Sequence, residues 1–263
     1  MHEKDGLVSR ALRPVEQAVR KTERHVYATY ARKPDLLVAN SPVIKRRVQR
    51  FWGVPSDDIR VVYPPVPIRE YSRTHADTSE RYVTLSRLDG HKRIEGIVRA
   101  FNGTDRELVV AGDGSERDRL EQIAEDNIRF AGYVSEQRKR ELLAAAKAFV
   151  FNAEREDFGI APVEALASGT PLIGVREGMT QYQIRDGQNG LLYDRGQLAD
   201  AISRFEADGV TWSERDIEAY AEQYSTEAFI GGMQDAISHA QERSTIDVPV
   251  DTPRPAAEVE HDV

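Results

Sequence analysis

Residues 148–175 read AFVFNAEREDFGIAPVEALASGTPLIGV. An apolar run, Ala148–Phe151, has the length of a buried strand. A polar loop follows, and then the helical stretch Ala161–Ala167, with Pro162 tolerated in its first turn. Ser168-Gly169-Thr170 closes the helix, and Pro171–Val175 is a second apolar run. A strand, a covering helix and another fully apolar strand make a βαβ unit, whose strands run parallel and are buried on both faces.

The same alternation extends in both directions from this unit. Upstream lie apolar runs at Tyr82–Leu85, Leu108–Ala111 and Ile128–Phe130; downstream lies Leu191–Tyr193. Helical segments at Ile94–Phe101, Glu116–Glu125, Glu136–Ala146 and Gly196–Asp208 separate them, and two more, Ser213–Gln223 and Thr226–Gln241, close the array. The fold class is therefore α/β, with a doubly wound parallel sheet.

Before this array, Asp35–Ala39 and Ile59–Tyr63 read as strands around a helix that Ser41-Pro42 opens and that runs to Trp52. Pro64, Pro65 and Pro67 stop the second strand, and the polar stretch Ser72–Glu80 reads as a linker. Leu12, Val15 and Val19 form an apolar stripe in a basic, helix-permissive N-terminal segment. The division expected is a partial α/β segment over 1–68, a Rossmann-like domain over 69–243 and a disordered acidic tail over 244–263.

Composition narrows the function. The 263 residues carry 44 acidic and 36 basic side chains, a formal charge of −8, which argues against non-specific nucleic-acid binding. There is no cysteine, so disulfides, thiolate metal sites and thiol nucleophiles are excluded. No apolar run reaches the ~20 residues of a membrane span, and no signal-peptide pattern opens the chain; a cytoplasmic protein is expected. Of the 36 basic residues 29 are arginine, which fits either solubility in high salt or arginine-rich codon usage.

In an open parallel sheet, ligands bind beyond the carboxyl ends of the strands. Three loops fall there. Ser86–Arg93 places Arg87 and Lys92 before a helix, two cations suited to a diphosphate. Gly112-Asp113-Gly114 lacks the third glycine of a dinucleotide fingerprint; Gly114 either lets the backbone approach a ligand or makes a turn. The third stretch, Glu154–Pro171, combines Glu156, a Phe158-Gly159-Ile160-Ala161 helix entrance able to cradle an anion, and Glu164 about one turn inside the helix. Carboxylates beside a phosphate cradle suit ligand hydroxyls, hence a sugar and a ribose flanking a diphosphate. Asp-x-Asp, Gly-x-Ser-x-Gly and P-loop motifs are absent.

The E-D-F-G-x-x-P-x-E-A-x-A-x-G-x-P pattern, with Glu156 and Glu164 separated by seven residues, resembles the E-x7-E motif of family-4 glycosyltransferases of the GT-B type. Its E-D-F-G-I-x-P-V-E form looks most like that of mannosyltransferases. Arg87 and Lys92 match that family's strand-end pair. Gly132-Tyr133-Val134-Ser135-Glu136 is similar to its base-binding loop, and Asp186-Gly187-Gln188-Asn189-Gly190-Leu191 to its D-G-x-N-G-L segment. One departure is Glu177-Gly178-Met179-Thr180-Gln181, where the family has Gly-Gly-x-x-Glu.

The resemblance implies the C-terminal, donor-binding half of a GT-B fold with a remnant of the acceptor-side domain. It implies a retaining, metal-independent hexosyl transfer from a nucleotide sugar (GDP-mannose or a UDP-sugar) to a glycan or lipid-linked acceptor, with no cofactor. Arg87, Lys92 and Glu156 would be catalytic. Gly114, Tyr133, Val134, Phe158, Gly159, Ile160, Ala161 and Glu164 would bind the donor. The alternative is a donor-binding subunit, or a truncated enzyme that needs a separate acceptor domain. Residues 1–68 are expected to associate, through the strand edge carrying Leu36, Leu37, Val38, Val61 and Val62, with a second copy or with an acceptor-domain partner. Membrane contact is expected to be peripheral at most.

Overall fold

The computed structural model describes residues 18–23, 25–31, 33–71 and 79–246, with side chains to Arg243. Leu12, Val15, most of the Ser72–Glu80 stretch and residues 247–263 lie outside the described residues.

The N-terminal portion is a small unit. Strands β1 (Leu37–Ala39) and β2 (Ile59–Val61) pair in parallel, joined by α1 (Pro42–Trp52). The Ser41 hydroxyl accepts the Ile44 N–H at 3.2 Å, capping α1 as its sequence suggests, and Gly53 ends it at φ 65°. Ala39, Val54 and Ile59 form its core. Val38 is exposed, but Val62, expected on the same open edge, is buried. The reason is the C-terminal helix, whose Gly232 would place a Cβ only 3.0 Å from Val62 Cγ1. Arg243 of the same helix pairs with Asp58 at 2.6 Å.

The remaining strands are β3 (Tyr82–Leu85), β4 (Leu108–Ala111), β5 (Ile128–Gly132), β6 (Ala148–Phe151), β7 (Leu172–Val175) and β8 (Gly190–Tyr193). They form one six-stranded sheet in the order β5-β4-β3-β6-β7-β8, every pair parallel. Successive residues feed two cores. Tyr82, Leu108, Val110, Ala148 and Val150 face one side, beneath α2 (Ile94–Phe101) and α3 (Arg117–Ile123). Val83, Val109, Phe149 and Phe151 face the other, beneath α4 (Glu136–Ala145) and α5 (Ile160–Ala167). Apolar residues are therefore needed at every position of these strands, which is why they read as unbroken runs rather than alternating ones.

A short helix, α6 (Thr180–Gln183), lies in the stretch before β8 where no helix was expected. After β8, α7 (Leu198–Asp208) joins the first face and α8 (Glu214–Ala221) the second. The last helix, α9 (Thr226–Ile246), continues to residue 246, beyond the residue-243 boundary expected for the domain. Among the described residues no helix is long and apolar enough to cross a membrane.

Candidate donor site at the sheet switch point

The strand order reverses between β3 and β6, so the loops after these two strands diverge and leave a crevice. Several bonds tie the two loops together. The Glu154 N–H donates to His91 O at 2.9 Å, and Asn152 Nδ2 donates to Arg93 O at 3.0 Å. Arg93, in the left-handed region at φ 54°, pairs its guanidinium with Glu154. Its preceding residue turns into the crevice, where Lys92 Nζ lies 2.6 Å from Glu156 Oε2. Both side chains are 18% exposed, so water reaches the pair. Arg87 is largely exposed, 3.6 Å from Asp89.

Deeper in, α5 begins at Gly159, whose φ of 77° turns the chain sharply into the helix, and no side chain caps it. The first-turn N–H groups are thus left for another acceptor. One turn along, Glu164 Oε1 accepts two hydrogen bonds, from Tyr71 Oη at 2.7 Å and from Lys139 Nζ at 2.7 Å. Lys139 also pairs with Glu136 at 2.8 Å. The Lys139 and Glu164 side chains are only 13% and 7% exposed. Burial alone would lower the Lys139 pKa; its bonds to Glu136, Glu164 and Tyr71 outweigh burial and raise it. Burial pushes the Tyr71 hydroxyl up, and Lys139 pulls the Glu136 carboxyl down.

Both lysine–glutamate pairs and the start of α5 border one cleft of about 710 Å³, with Tyr71 behind its wall. Arg87, Lys92, Glu156, Phe158, Gly159, Ile160, Ala161 and Glu164, all singled out from the sequence, line it. Three singled-out residues lie elsewhere. Tyr133 is 84% exposed, and Val134 is half-buried against the core. Gly114 accommodates a neighbouring loop, since a Cβ there would stand 2.6 Å from Leu88 O. The sequence reading missed Asn40 and Pro64, which bring the N-terminal unit to the cleft wall, and Lys139 and Tyr71. It also missed Arg47, whose guanidinium pairs with Asp157 and docks α1 on the Glu156 loop. Of these, only the Glu136–Lys139 spacing on one helix left a local signal.

A second cleft, of about 640 Å³, opens on the α2 and α7 side. Its arginines are already occupied: Arg93 by Glu154, Arg99 by Glu95, Arg119 by Glu95 and Glu116, Arg195 by Glu177. The cations of the switch-point cleft are paired as well, but this cleft sets them beside the uncapped start of α5 at the carboxyl ends of β3 and β6.

The model of glycosyl transferases group 1 matches residues 70–224, more than half of the chain, including the loops after β3 and β6 that line this cleft. The chain belongs to that family. A second model, Glycosyltransferase Family 4, matches residues 2–70. Among curated family relatives is the lipopolysaccharide core biosynthesis glycosyltransferase LpsE of Rhizobium meliloti. It is 33% identical over 222 residues, 76% of this chain and 63% of that protein. A GDP-mannose-dependent alpha-mannosyltransferase of Corynebacterium glutamicum is 36% identical over 110 residues, 42% of this chain and 26% of that protein. The chain thus spans less than two thirds of either relative. In fold it is similar to Anabaena Alr3699/HepE crystallised with UDP, with a TM-score of 0.75 and 21% identity over 83% of this chain and 68% of that one. The doubly wound parallel-sheet α/β architecture expected from the sequence is the architecture observed, and it is similar to that of GT-B glycosyltransferases.

Proposed function

We propose that the switch-point cleft binds a nucleoside-diphosphate sugar, and that the chain supplies the donor half of a retaining, metal-independent glycosyl transfer to a glycan or lipid-linked acceptor. The observation that carries this reading is the convergence of Lys92, Glu156 and the uncapped start of α5 in one cleft. The diphosphate would replace Glu156 as the partner of Lys92 and accept the first-turn N–H groups of α5. Released from Lys92, the Glu156 carboxylate accepts sugar hydroxyls. Glu164 offers its second oxygen to the ribose.

As the glycosidic bond breaks, negative charge grows on the leaving diphosphate. Lys92, Arg87 and the helix entrance meet that charge in fixed positions, so their stabilisation is greatest where the charge is greatest. The GDP-mannose dependence of the Corynebacterium relative makes GDP-mannose the first donor to try, and the UDP held by HepE makes UDP-sugars the second. Cations at the strand end supply the charge a metal would otherwise bring.

Calorimetry with GDP, UDP and their sugars, paired with a nucleotide-release assay on the same preparation, tests the reading. Binding with turnover supports an enzyme that acts alone. Binding without turnover supports the donor-binding subunit, and no binding of any nucleotide overturns both.

A further inference from the structure

Gln183, at the end of α6, has no role in the scheme above, yet its side chain is fully buried and reaches the floor of the cleft. Its Nε2 donates to Phe158 O at 2.7 Å and to Gly159 O at 3.1 Å. At the other end of the segment, the Met179 N–H donates to Glu156 O at 2.8 Å. Gly178 permits that approach, because a Cβ on it would stand 2.5 Å from the same oxygen. Three of the four carbonyls from residue 156 to residue 159 are therefore taken up by residues 179–183. This segment overlaps the Glu177–Gln181 stretch that departs from the family's Gly-Gly-x-x-Glu pattern, and Gln183 lies two residues beyond it.

In a trans peptide the carbonyl and the following N–H point in opposite directions. Drawing the Phe158 and Gly159 carbonyls toward Gln183 thus turns the N–H groups of Gly159 and Ile160 away from it. Both residues line the cleft. Only the amide nitrogen can face two carbonyl oxygens, so the orientation of the side chain is settled by its partners. Its Oε1, buried and without a hydrogen-bond partner among the described residues, is the cost of that orientation. Gln183 is itself tied to the sheet: its own carbonyl accepts Asn189 Nδ2 at 3.0 Å, and Asn189 Oδ1 accepts the Arg185 N–H at 2.7 Å. Asn189 of the Asp-Gly-x-Asn-Gly-Leu segment is the first link in a relay from β8 to the start of α5.

We propose that Gln183 is a positioning residue. By holding the Phe158 and Gly159 carbonyls inward, it aims the helix-entrance N–H groups at the diphosphate of a nucleotide. This inference rests on the donor-binding reading of the cleft.

The test compares UDP and GDP binding by the full chain and by Gln183→Met, well below the melting transition, together with thermal melts. Gln183→Met keeps the shape and deletes both donors. Nucleotide binding weakened about tenfold is expected, because the freed carbonyls no longer hold the helix-entrance N–H groups in line with the diphosphate. If the variant turns over, the donor KM rises while the acceptor KM holds. A purely structural role would lower the melting temperature and leave the dissociation constant of the folded protein unchanged, and that result overturns the proposal. Should Gln183→Met fail to fold, Gln183→Asn, which withdraws the amide by one methylene, is scored by the same readings. Nucleotide bound equally by wild type and variant defeats this inference alone. Nucleotide bound by neither defeats the donor reading with it.

Discussion

Lys92–Glu156 and Lys139–Glu164 are both lysine–glutamate pairs, 2.6 and 2.7 Å apart, on one cleft wall, and they differ in depth, at 18% and 18% against 13% and 7% exposed, and in the partners that brace them. The outer pair is reached by solvent, and among the described residues each member has the other as its ion-pair partner. The inner pair is nearly closed off and is braced by the Tyr71 hydroxyl and by Glu136. A partly hydrated pair can exchange one member for a ligand at modest cost. A desolvated pair cannot, because the charge left behind has no water to turn to. The outer pair therefore suits chemistry, and the inner pair suits holding Glu164 in one orientation.

The largest expected effect tests the inner pair. Lys139→Met leaves Glu164 without its counter-ion and should cost about 3–5 kcal/mol of stability. Adding Glu164→Leu should recover most of it. Denaturant titration measures both, and a single variant as stable as wild type would erase the distinction between the pairs. Next comes Lys92→Ala. It should lower kcat about 10²–10³-fold, or about 2.7–4 kcal/mol of transition-state stabilisation, by analogy with deleting one preorganised donor. Its loss of stability should be smaller than that of Lys139→Met, because the Glu156 left behind keeps more access to water than Glu164. Near-normal turnover in a nucleotide-release assay would remove Lys92 from the catalytic set.

Tyr71→Phe sharpens the comparison further. It deletes one hydrogen bond to a buried carboxylate that keeps its lysine, so about 1–2 kcal/mol is expected in the same titration. The smallest effect concerns pH. The Glu136 carboxyl lies below its ordinary 4.5 because of Lys139. A depressed folded-state pKa contributes stability above the ordinary value and loses it as pH falls through the folded one. Glu136→Gln should therefore shallow the fall in melting temperature below about pH 4.5. An unchanged acid limb would mean that Glu136 does not brace Lys139.

Much of the cleft was legible because its decisive spacing is local. Glu156, Gly159 and Glu164 lie within one strand–loop–helix passage, and helix geometry alone brings Glu164 back toward the loop. Lys92 follows from the same logic in the neighbouring loop. Lys139 and Tyr71 were not legible as partners of Glu164, since they come from elements separated from it by 25 and 93 residues. The buried Val62 escaped for a similar reason: its cover is a helix that begins more than 160 residues later.

From the sequence by itself came the element order, the parallel sheet and the polar loops at its carboxyl edge. These rest on short-range constraints: apolar runs buried on two faces, a serine cap, glycines where the chain must turn. Tertiary structure alone decided which lysine meets which glutamate and how deeply each pair is desolvated. It also decided that Gln183 reaches under the cleft floor to hold two carbonyls. Those outcomes depend on how distant elements close on one another, and hydrogen-bonding reach of about 3 Å is set by that closure rather than by any local period in the chain.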